Sequence, residues 1–539
     1  LGLLGLIYLL NMRIEIMEVD AAQYASISLE MMQSGSYLEV YHRGEDYLDK
    51  PLLLFWLSAC SFQIFGVNEF AYKLPSLLVL ILGLYALFRF ARMWYDVETA
   101  RLATLILGFT QAFFLITHDV RTDGMLTGWV IFSVWQLSAY IRSGKWENLI
   151  LGSLGVGLAM MTKGPIGMIL PGAAIGADLL LKRKWKVIFH PQWLLFLLIV
   201  GLSLVPMCIG LYHQFDLHPE KEVYGLQGPS GLEFFFWTQS FGRITGDIYW
   251  DNGAPSYYFF LTMLWDFQPW VLFFFPAWGL ALFRLIRARF RVEDTHEYLS
   301  LGGFTLGFLM LSLSNFKLPH YVFPLFPFAA LLTARYILQL KGKVHQRLTT
   351  IHWGLMQIFA LAVAAYFIVG FPEGQIALPI ACLGIWGLAW WIWLKEKGQW
   401  KWLSAGLLIV CMLNLVMTLD FYPRLLQYQS TNQIGKKVLA EGKDPETFFY
   451  FKFYGQGLDF YSQQINHWAN WTKIPDYPLG TWILTSEEGL GDIQFMTSDY
   501  EIIETYQDYN VTSLKLPFLL ASSREAQVKT SHCNLDRSR

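Results

Sequence analysis

Five short polar stretches interrupt an otherwise apolar chain, and their residue types suit the handling of an anionic, hydroxyl-bearing substrate. Met17-Glu18-Val19-Asp20-Ala21-Ala22-Gln23-Tyr24 sets two carboxylates at the first turn of an amphipathic helix running to about Gln33. A helix N-terminus stabilises anions, so the same pair also reads as an ordinary cap on a solvated face. Tyr47-Leu48-Asp49-Lys50-Pro51 places a lysine just before a helix opened by proline, which is either an interfacial anchor or a fixed positive charge. His118-Asp119-Val120-Arg121-Thr122-Asp123-Gly124 gathers four ionisable groups into one short connection, too dense for solubilising charge alone. Thr162-Lys163-Gly164-Pro165 reads as a structural turn whose lysine snorkels to water. Ser314-Asn315-Phe316-Lys317-Leu318-Pro319-His320-Tyr321 offers a phosphate a point charge from Lys317 and a hydroxyl donor from Tyr321.

The elements that must position these stretches are apolar. The chain has 539 residues, 54% hydrophobic and only 15% charged, and its mean hydropathy is +0.37. Soluble domains carry about 25% charged residues. A membrane span needs about 20 mostly apolar residues. On that criterion, spans are expected near 1–11, 71–93, 99–117, 123–141, 147–161, 164–181, 192–213, 256–283, 299–314, 318–338, 351–371, 376–394 and 402–420, about thirteen in all. The run 51–66 is too short to span and is expected to lie at the membrane interface.

Basic residues fix the orientation, because cytoplasmic loops collect Lys and Arg. Arg89, Arg92 and Arg101, then Arg142 and Lys145, then Lys182 to Lys186, then Arg284 to Arg291, then Arg335 to Arg347, then Lys395 to Lys401 fall in every second loop. The N-terminus is thereby expected in the cytoplasm and the end of the last span outside. The five polar stretches then share the outer face, as do two longer loops, 12–70 and 214–255. Charged groups at a membrane boundary are expensive, and their default reading is functional.

The last segment, 421–539, changes character. Thr447-Phe448-Phe449-Tyr450-Phe451 and Thr481-Trp482-Ile483-Leu484 favour strands and alternate with polar stretches, so a small extracytoplasmic α/β domain is expected, with a polar, unstructured end from about Ser522. The net charge of −2 gives no basis for a nucleic-acid partner. The five scattered cysteines form no CxxC pair, which argues against disulfides and a thiolate metal site. The chain opens inside an apolar run without methionine, so the natural N-terminus is expected to lie upstream.

Read in order, Val19-Asp20-Ala21-Ala22-Gln23-Tyr24, Tyr47-Leu48-Asp49-Lys50-Pro51, Val120-Arg121-Thr122-Asp123, Met161-Thr162-Lys163-Gly164-Pro165 and Lys317-Leu318-Pro319-His320-Tyr321-Val322-Phe323-Pro324 resemble the GT-C superfamily of polyprenyl-phosphate-sugar glycosyltransferases. The likeness is to its bacterial aminoarabinose transferase and protein O-mannosyltransferase branch. The resemblance implies a transmembrane catalytic domain over 1–420 and an outer C-terminal domain over 421–539. It implies an inverting transferase in the cytoplasmic membrane that uses a lipid-linked sugar donor and a lipid, glycan or protein acceptor. Carried over by residue, Asp20 matches the acid of the first loop, a catalytic base or acceptor-site acid, and Asp123 the second acidic position of the site. Lys50 and Tyr321 match positions that hold the donor phosphate, with Lys317 beside them; Tyr24 and Tyr47 match tyrosines near the donor. Asp49 stands where the aminoarabinose enzymes have a metal-binding glutamate and is the one candidate ligand for a divalent metal; no histidine around 249–256 matches a second ligand.

The sequence departs from the pattern at Ala21, where a glutamate is usual, and at Gln23, where an arginine is. Glu18 and Arg121 are the available substitutes. The competing class is a secondary transporter or lipid flippase, whose signature is repeated halves with polar residues at the midplane. This chain shows neither, and its polar residues lie at one rim.

Overall fold

The computed structural model describes residues 2–242, 252–370, 376–453, 455–508 and 529–533 of the chain. It is mostly helical and divides into two compact units. The first comprises Leu1–Asn11, Leu48–Leu53 and Ser76–Thr418; the second comprises Met12–Tyr47, Leu54–Pro75 and Leu419–Arg539.

Seven helices among the described residues are long and apolar enough to cross a membrane: Glu69–Trp94, Thr122–Ser143, Trp185–Asp216, Pro319–Gln339, Gly342–Val369, Ala377–Lys395 and Lys401–Tyr428. Gly2–Asn11, Ile166–Leu181 and Leu299–Leu313 are shorter and equally apolar. Two expected spans are interrupted. The stretch 99–117 breaks into Val97–Gly108 and Gln111–Ile116, because the Thr110 hydroxyl donates to the Leu107 carbonyl at 2.9 Å and accepts from the Phe113 N–H at 3.2 Å. A threonine satisfying both helix ends in this way competes with a continuous helix. The stretch 256–283 breaks into Tyr258–Asp266 and Val271–Arg287 around Pro269, which has no N–H to continue the ladder. The span expected at 147–161 extends to Trp146–Lys163, and the one at 318–338 opens with a tight 3₁₀ turn over Pro319–Leu325.

Small residues set the helix spacing in the first unit. A Cβ on Gly128 would lie 2.4 Å from the carbonyl oxygen of Val79, so Glu69–Trp94 and Thr122–Ser143 touch backbone to backbone. Close approach at glycine is how membrane helices gain packing energy without a hydrophobic drive. Thr122–Ser143 and Trp146–Lys163 pack antiparallel, joined through Gly144 in the left-handed region (φ 68°). Gly152 abuts Leu137, and Gly155 abuts Ser133 and Phe132. Each step down one helix is matched by a step up the other, and continuing that register brings Lys163 level with Asp123.

In the second unit, the described strands of the C-terminal part form one five-stranded sheet, in the order His467–Trp468, Phe448–Phe451, Trp482–Ser486, Lys529–Cys533, Glu504–Asp508. The first three are parallel and the remaining pairings antiparallel. Phe448, Tyr450, Trp482 and Leu484 bury against Ile434 and Val438 on one face, while Phe451 and Ile483 bury against Ile474 and Ile493 on the other. This is the period-2 alternation of a sheet covered on both sides. Of the polar end from Ser522, Lys529–Cys533 is a strand where no structure was expected; the rest lies outside the described residues.

Residues 12–47 and 54–75 belong to this unit as well. Glu18 accepts from the Thr431 hydroxyl at 2.8 Å and the Gly457 N–H at 3.1 Å, and Asn432 donates to Glu15 at 2.9 Å. The Tyr72 hydroxyl donates to the Ala21 carbonyl at 2.7 Å, and Phe62 and Tyr72 both pack on Phe460.

Candidate functional site

Asp123 is the centre of the polar cluster in the first unit. It lies in the first turn of Thr122–Ser143 and is 2% exposed. Lys163, at the last position of Trp146–Lys163, donates to its Oδ1 at 2.5 Å. The helix stops there because Gly164 takes a conformation with φ 80° and Pro165 follows. On the other side His320 brings Nε2 to 3.7 Å from Asp123 Oδ2. The 3₁₀ turn that carries His320 also presents Tyr321, whose ring lies 4.1 Å from the Lys163 ammonium and 5.2 Å from the imidazole. A carboxylate is thus held between two nitrogen groups, with an aromatic face completing the lysine's surroundings.

Positive charge gathers around this centre. Lys50, Arg121 and Lys163 are all near enough to His320 for their charges to act on its ring. Arg121 precedes Asp123 by two residues and bonds Asp119 at 2.6 Å. Lys50 is paired with its neighbour Asp49, and the Asp49 backbone carbonyl accepts from the Gln239 amide, whose second contact is to Asp49 Oδ1 at 3.4 Å. Their segment is anchored by Leu48, which buries in a cluster with Phe215, Val223 and Phe234, and whose N–H reaches the Tyr224 hydroxyl at 3.4 Å. The segment from Phe215 to Gln239 therefore holds the Asp49-Lys50 dipeptide in place.

Of the residues picked out by sequence, the structure brings Asp123 and Tyr321 together and sets Arg121 and Lys50 near them. Lys317 is directed elsewhere: it is 4% exposed, and its ammonium donates to the Ala254 carbonyl at 2.9 Å. Glu18, Asp20, Tyr24 and Tyr47 belong to the second unit. There the helix begins at Asp20, so Glu18 is not in its first turn but bonds Thr431 and Gly457. Tyr24 and Tyr47 both pack edge-on against Phe55. Lys163, read as a snorkelling lysine, proves to be the ion-pair partner of Asp123. His320 and Gln239 were not given roles, although the charge density beside Pro319 was a signal for the first. Positions 249–251 of the region searched for a metal-binding histidine lie outside the described residues.

Among the described residues no group of three His, Cys, Asp or Glu side chains could hold a metal ion. Among the described residues Asp49 is accompanied by an ammonium and an amide, a donor set that does not fit a divalent cation.

Residues 49–209 match the model of the dolichyl-phosphate-mannose-protein mannosyltransferase family. The chain is 26% identical over 419 residues to the undecaprenyl phosphate-alpha-4-amino-4-deoxy-L-arabinose arabinosyl transferase of Edwardsiella ictaluri, covering 73% of this chain and 71% of that protein. It is also 26% identical over 437 residues to the enzyme of the same name from Serratia proteamaculans, covering 76% and 74%. The fold matches the crystal structure of ArnT from Cupriavidus metallidurans bound to undecaprenyl phosphate, with a TM-score of 0.73, 17% identity, and 98% and 96% of the two chains covered. The apo structure of that protein gives a TM-score of 0.72.

A multi-pass membrane protein whose buried carboxylate is clamped at helix ends, and whose sequence and fold carry these likenesses, is a glycosyltransferase. In sequence it is similar to the aminoarabinose transferases, and its fold is like that of ArnT.

Proposed function

We propose that the protein moves one sugar from a polyprenyl-phosphate carrier of the undecaprenyl type to an acceptor at the outer face of the cytoplasmic membrane, inverting the anomeric centre. The acceptor is lipid A, another envelope glycan or a protein. In this reading all of the roughly thirteen apolar segments cross or enter the bilayer, the N-terminus faces the cytoplasm, and the C-terminal α/β fold stands outside. Residues 1–420 form the catalytic domain. What carries the reading is Asp123, buried between Lys163 and His320 with Tyr321 alongside. Such a carboxylate, fixed by its partners, is built to receive hydrogen bonds from a sugar.

The bond that breaks joins the sugar's anomeric carbon to a phosphate oxygen of the carrier. The leaving polyprenyl phosphate gains one negative charge, which Lys50 stabilises, with Tyr321 assisting; Lys317, held on the Ala254 carbonyl, would have to leave that partner to contribute. The bond that forms joins the anomeric carbon to the acceptor oxygen, and the acceptor's proton passes to Asp20. The role of Asp20 rests on its match to the superfamily motif, and a phosphate acceptor would need it only to orient the sugar. Glu18, Tyr24, Tyr47, Asp49 and Arg121 line the substrates in this proposal.

The test is transfer from a radiolabelled polyprenyl-phosphate sugar in membrane extract. Losing a charged hydrogen bond of roughly 1.5–3 kcal/mol should lower kcat/KM of Lys50→Ala by about 10- to 100-fold at normal expression. Equal loss of expression and activity would make the lysine structural. Full activity in folded Asp20→Asn would refute the base. Mass analysis of lipids and glycoproteins from cells lacking the protein identifies sugar and acceptor.

A further inference from the structure

A cavity lies at the other end of the first unit from Asp123. The helix Pro319–Gln339 carries His320 and Tyr321 near its start and ends in the cavity wall; at about 1.5–2 Å per residue Tyr321 and Arg335 are roughly 25 Å apart along it. The cavity, about 380 Å³, sits between the ends of Val271–Arg287 and Phe326–Gln339 and the start of Leu299–Leu313. Its lining changes along its length. Ala277, Leu280, Ala281 and Leu332 form an apolar wall; Arg284, Arg291 and Arg335 supply a basic one, with Tyr336 among them.

Arginines at helix C-termini satisfy the helix dipole and mark a loop as basic, and that alone would make no site. Three further observations do. The acidic residues of the cavity are otherwise engaged: Glu297 accepts from the Tyr95 hydroxyl at 2.9 Å and the Ser300 N–H at 2.8 Å, and Glu293 pairs with His296 at 3.2 Å. Among the described residues none of the three guanidinium groups is ion-paired with a carboxylate; Arg335 lies over the Tyr95 ring at 4.5 Å and Arg284 reaches Gln339 at 3.5 Å. Outside the cavity and level with the arginines, Phe283, Ile286 and Phe290 are 57%, 60% and 56% exposed. Apolar surface at that level is what a bilayer covers, so the arginines stand where lipid headgroups begin.

We infer that this cavity binds a phosphate group, with the headgroup of an anionic phospholipid as the source its apolar wall favours. Guanidinium forks match phosphate oxygens in pairs, and the wall from Ala277 to Leu280 takes the start of an acyl chain. Basic pockets between membrane helices bind lipid headgroups by this combination. The site is independent of the transfer reaction proposed above and uses none of its residues.

The full chain in detergent, titrated with dioleoylphosphatidylglycerol or dioleoylphosphatidylcholine and examined by native mass spectrometry, tests this. Wild type should retain phosphatidylglycerol preferentially, and the double variant Arg284→Gln/Arg291→Gln should lose about tenfold of that preference while its thermal unfolding in detergent is unchanged. Arg284→Lys/Arg291→Lys keeps the charge without the fork and should fall between. Stabilisation of wild type but not of the variant by inorganic phosphate, without lipid preference, would keep the phosphate site and overturn the lipid as its source. Equal retention of the two lipids by wild type, with no effect of inorganic phosphate, would overturn the inference.

Discussion

Asp123 and Lys163 should behave as one unit in stability and as two in activity. Their atoms are 2.5 Å apart, and their side chains are 3% and 16% exposed, so water screens them little. At an effective dielectric of about 20, such a pair attracts by roughly 6–7 kcal/mol before desolvation is subtracted. Removing one member of a buried pair costs about 3–5 kcal/mol, because the survivor is left charged without its partner. Asparagine still offers Lys163 an amide oxygen, so Asp123→Asn should sit near or just below the low end, at about 2–3 kcal/mol. Lys163→Met should cost a similar amount, since His320 at 3.7 Å compensates Asp123 only in part. The double variant removes both charges together. It should therefore lose about 3 kcal/mol instead of the sum of about 4–6, a coupling of roughly 1–3 kcal/mol. Reversible unfolding of the detergent-solubilised protein in increasing dodecyl sulfate measures all three. Additivity within about 0.5 kcal/mol would refute the pair. Sugar transfer should be abolished in the double variant although it is about as stable as either single variant; near-normal activity would make Asp123 only a structural charge.

The helix contact beneath this pair gives a second expectation. Gly128→Ala directs a methyl at the Val79 carbonyl, 2.4 Å away, and overpacking of this kind costs about 1–3 kcal/mol. Because Gly128 lies little more than a turn from Asp123 on the same helix, transfer activity should fall with the unfolding midpoint; an unchanged midpoint would mean the helices have room. In the second unit, Arg43 bonds Asp459 at 2.5 Å and the Gly455 carbonyl at 2.6 Å, with side chains 7% and 0% exposed. Arg43→Met should therefore destabilise that unit by about 3–5 kcal/mol, read as faster proteolysis around the C-terminal sheet. Burial first, and the Arg43 charge next, hold the His42 imidazole down to about 4. The unfolded chain then binds the extra proton between about pH 6.5 and 4, so stability is lost as pH falls through that window, by up to about 3 kcal/mol. His42→Gln should flatten that part of the pH profile, and an unchanged slope would show that the imidazole does not carry it.

How much of this could be read from the sequence follows from the range of the forces involved. The apolar segments were legible because each is a local property of about twenty residues, and among the described residues seven helices are long and apolar enough to cross a membrane. Their interruptions were less so: Pro269 is a visible breaker, but Thr110 breaks its helix only through two hydrogen bonds that a hydropathy window cannot register. The strands Phe448–Phe451 and Trp482–Ser486 announced themselves by composition. That residues 12–47 belong with them did not, because the tie runs through Glu15 and Glu18 to Asn432, Thr431 and Gly457, more than 400 positions away. Asp123 and Tyr321 were found through their motifs. Lys163 was discounted on local grounds that were sound as far as they went: a lysine before Gly-Pro at a helix end is usually an anchor. What makes it a site residue is the register of two helices, set by Gly152 against Leu137 and Gly155 against Ser133, and those glycines carry no chemistry of their own. The polar groups of such a site are visible one at a time, whereas their convergence is decided by the smallest residues in the helices that carry them.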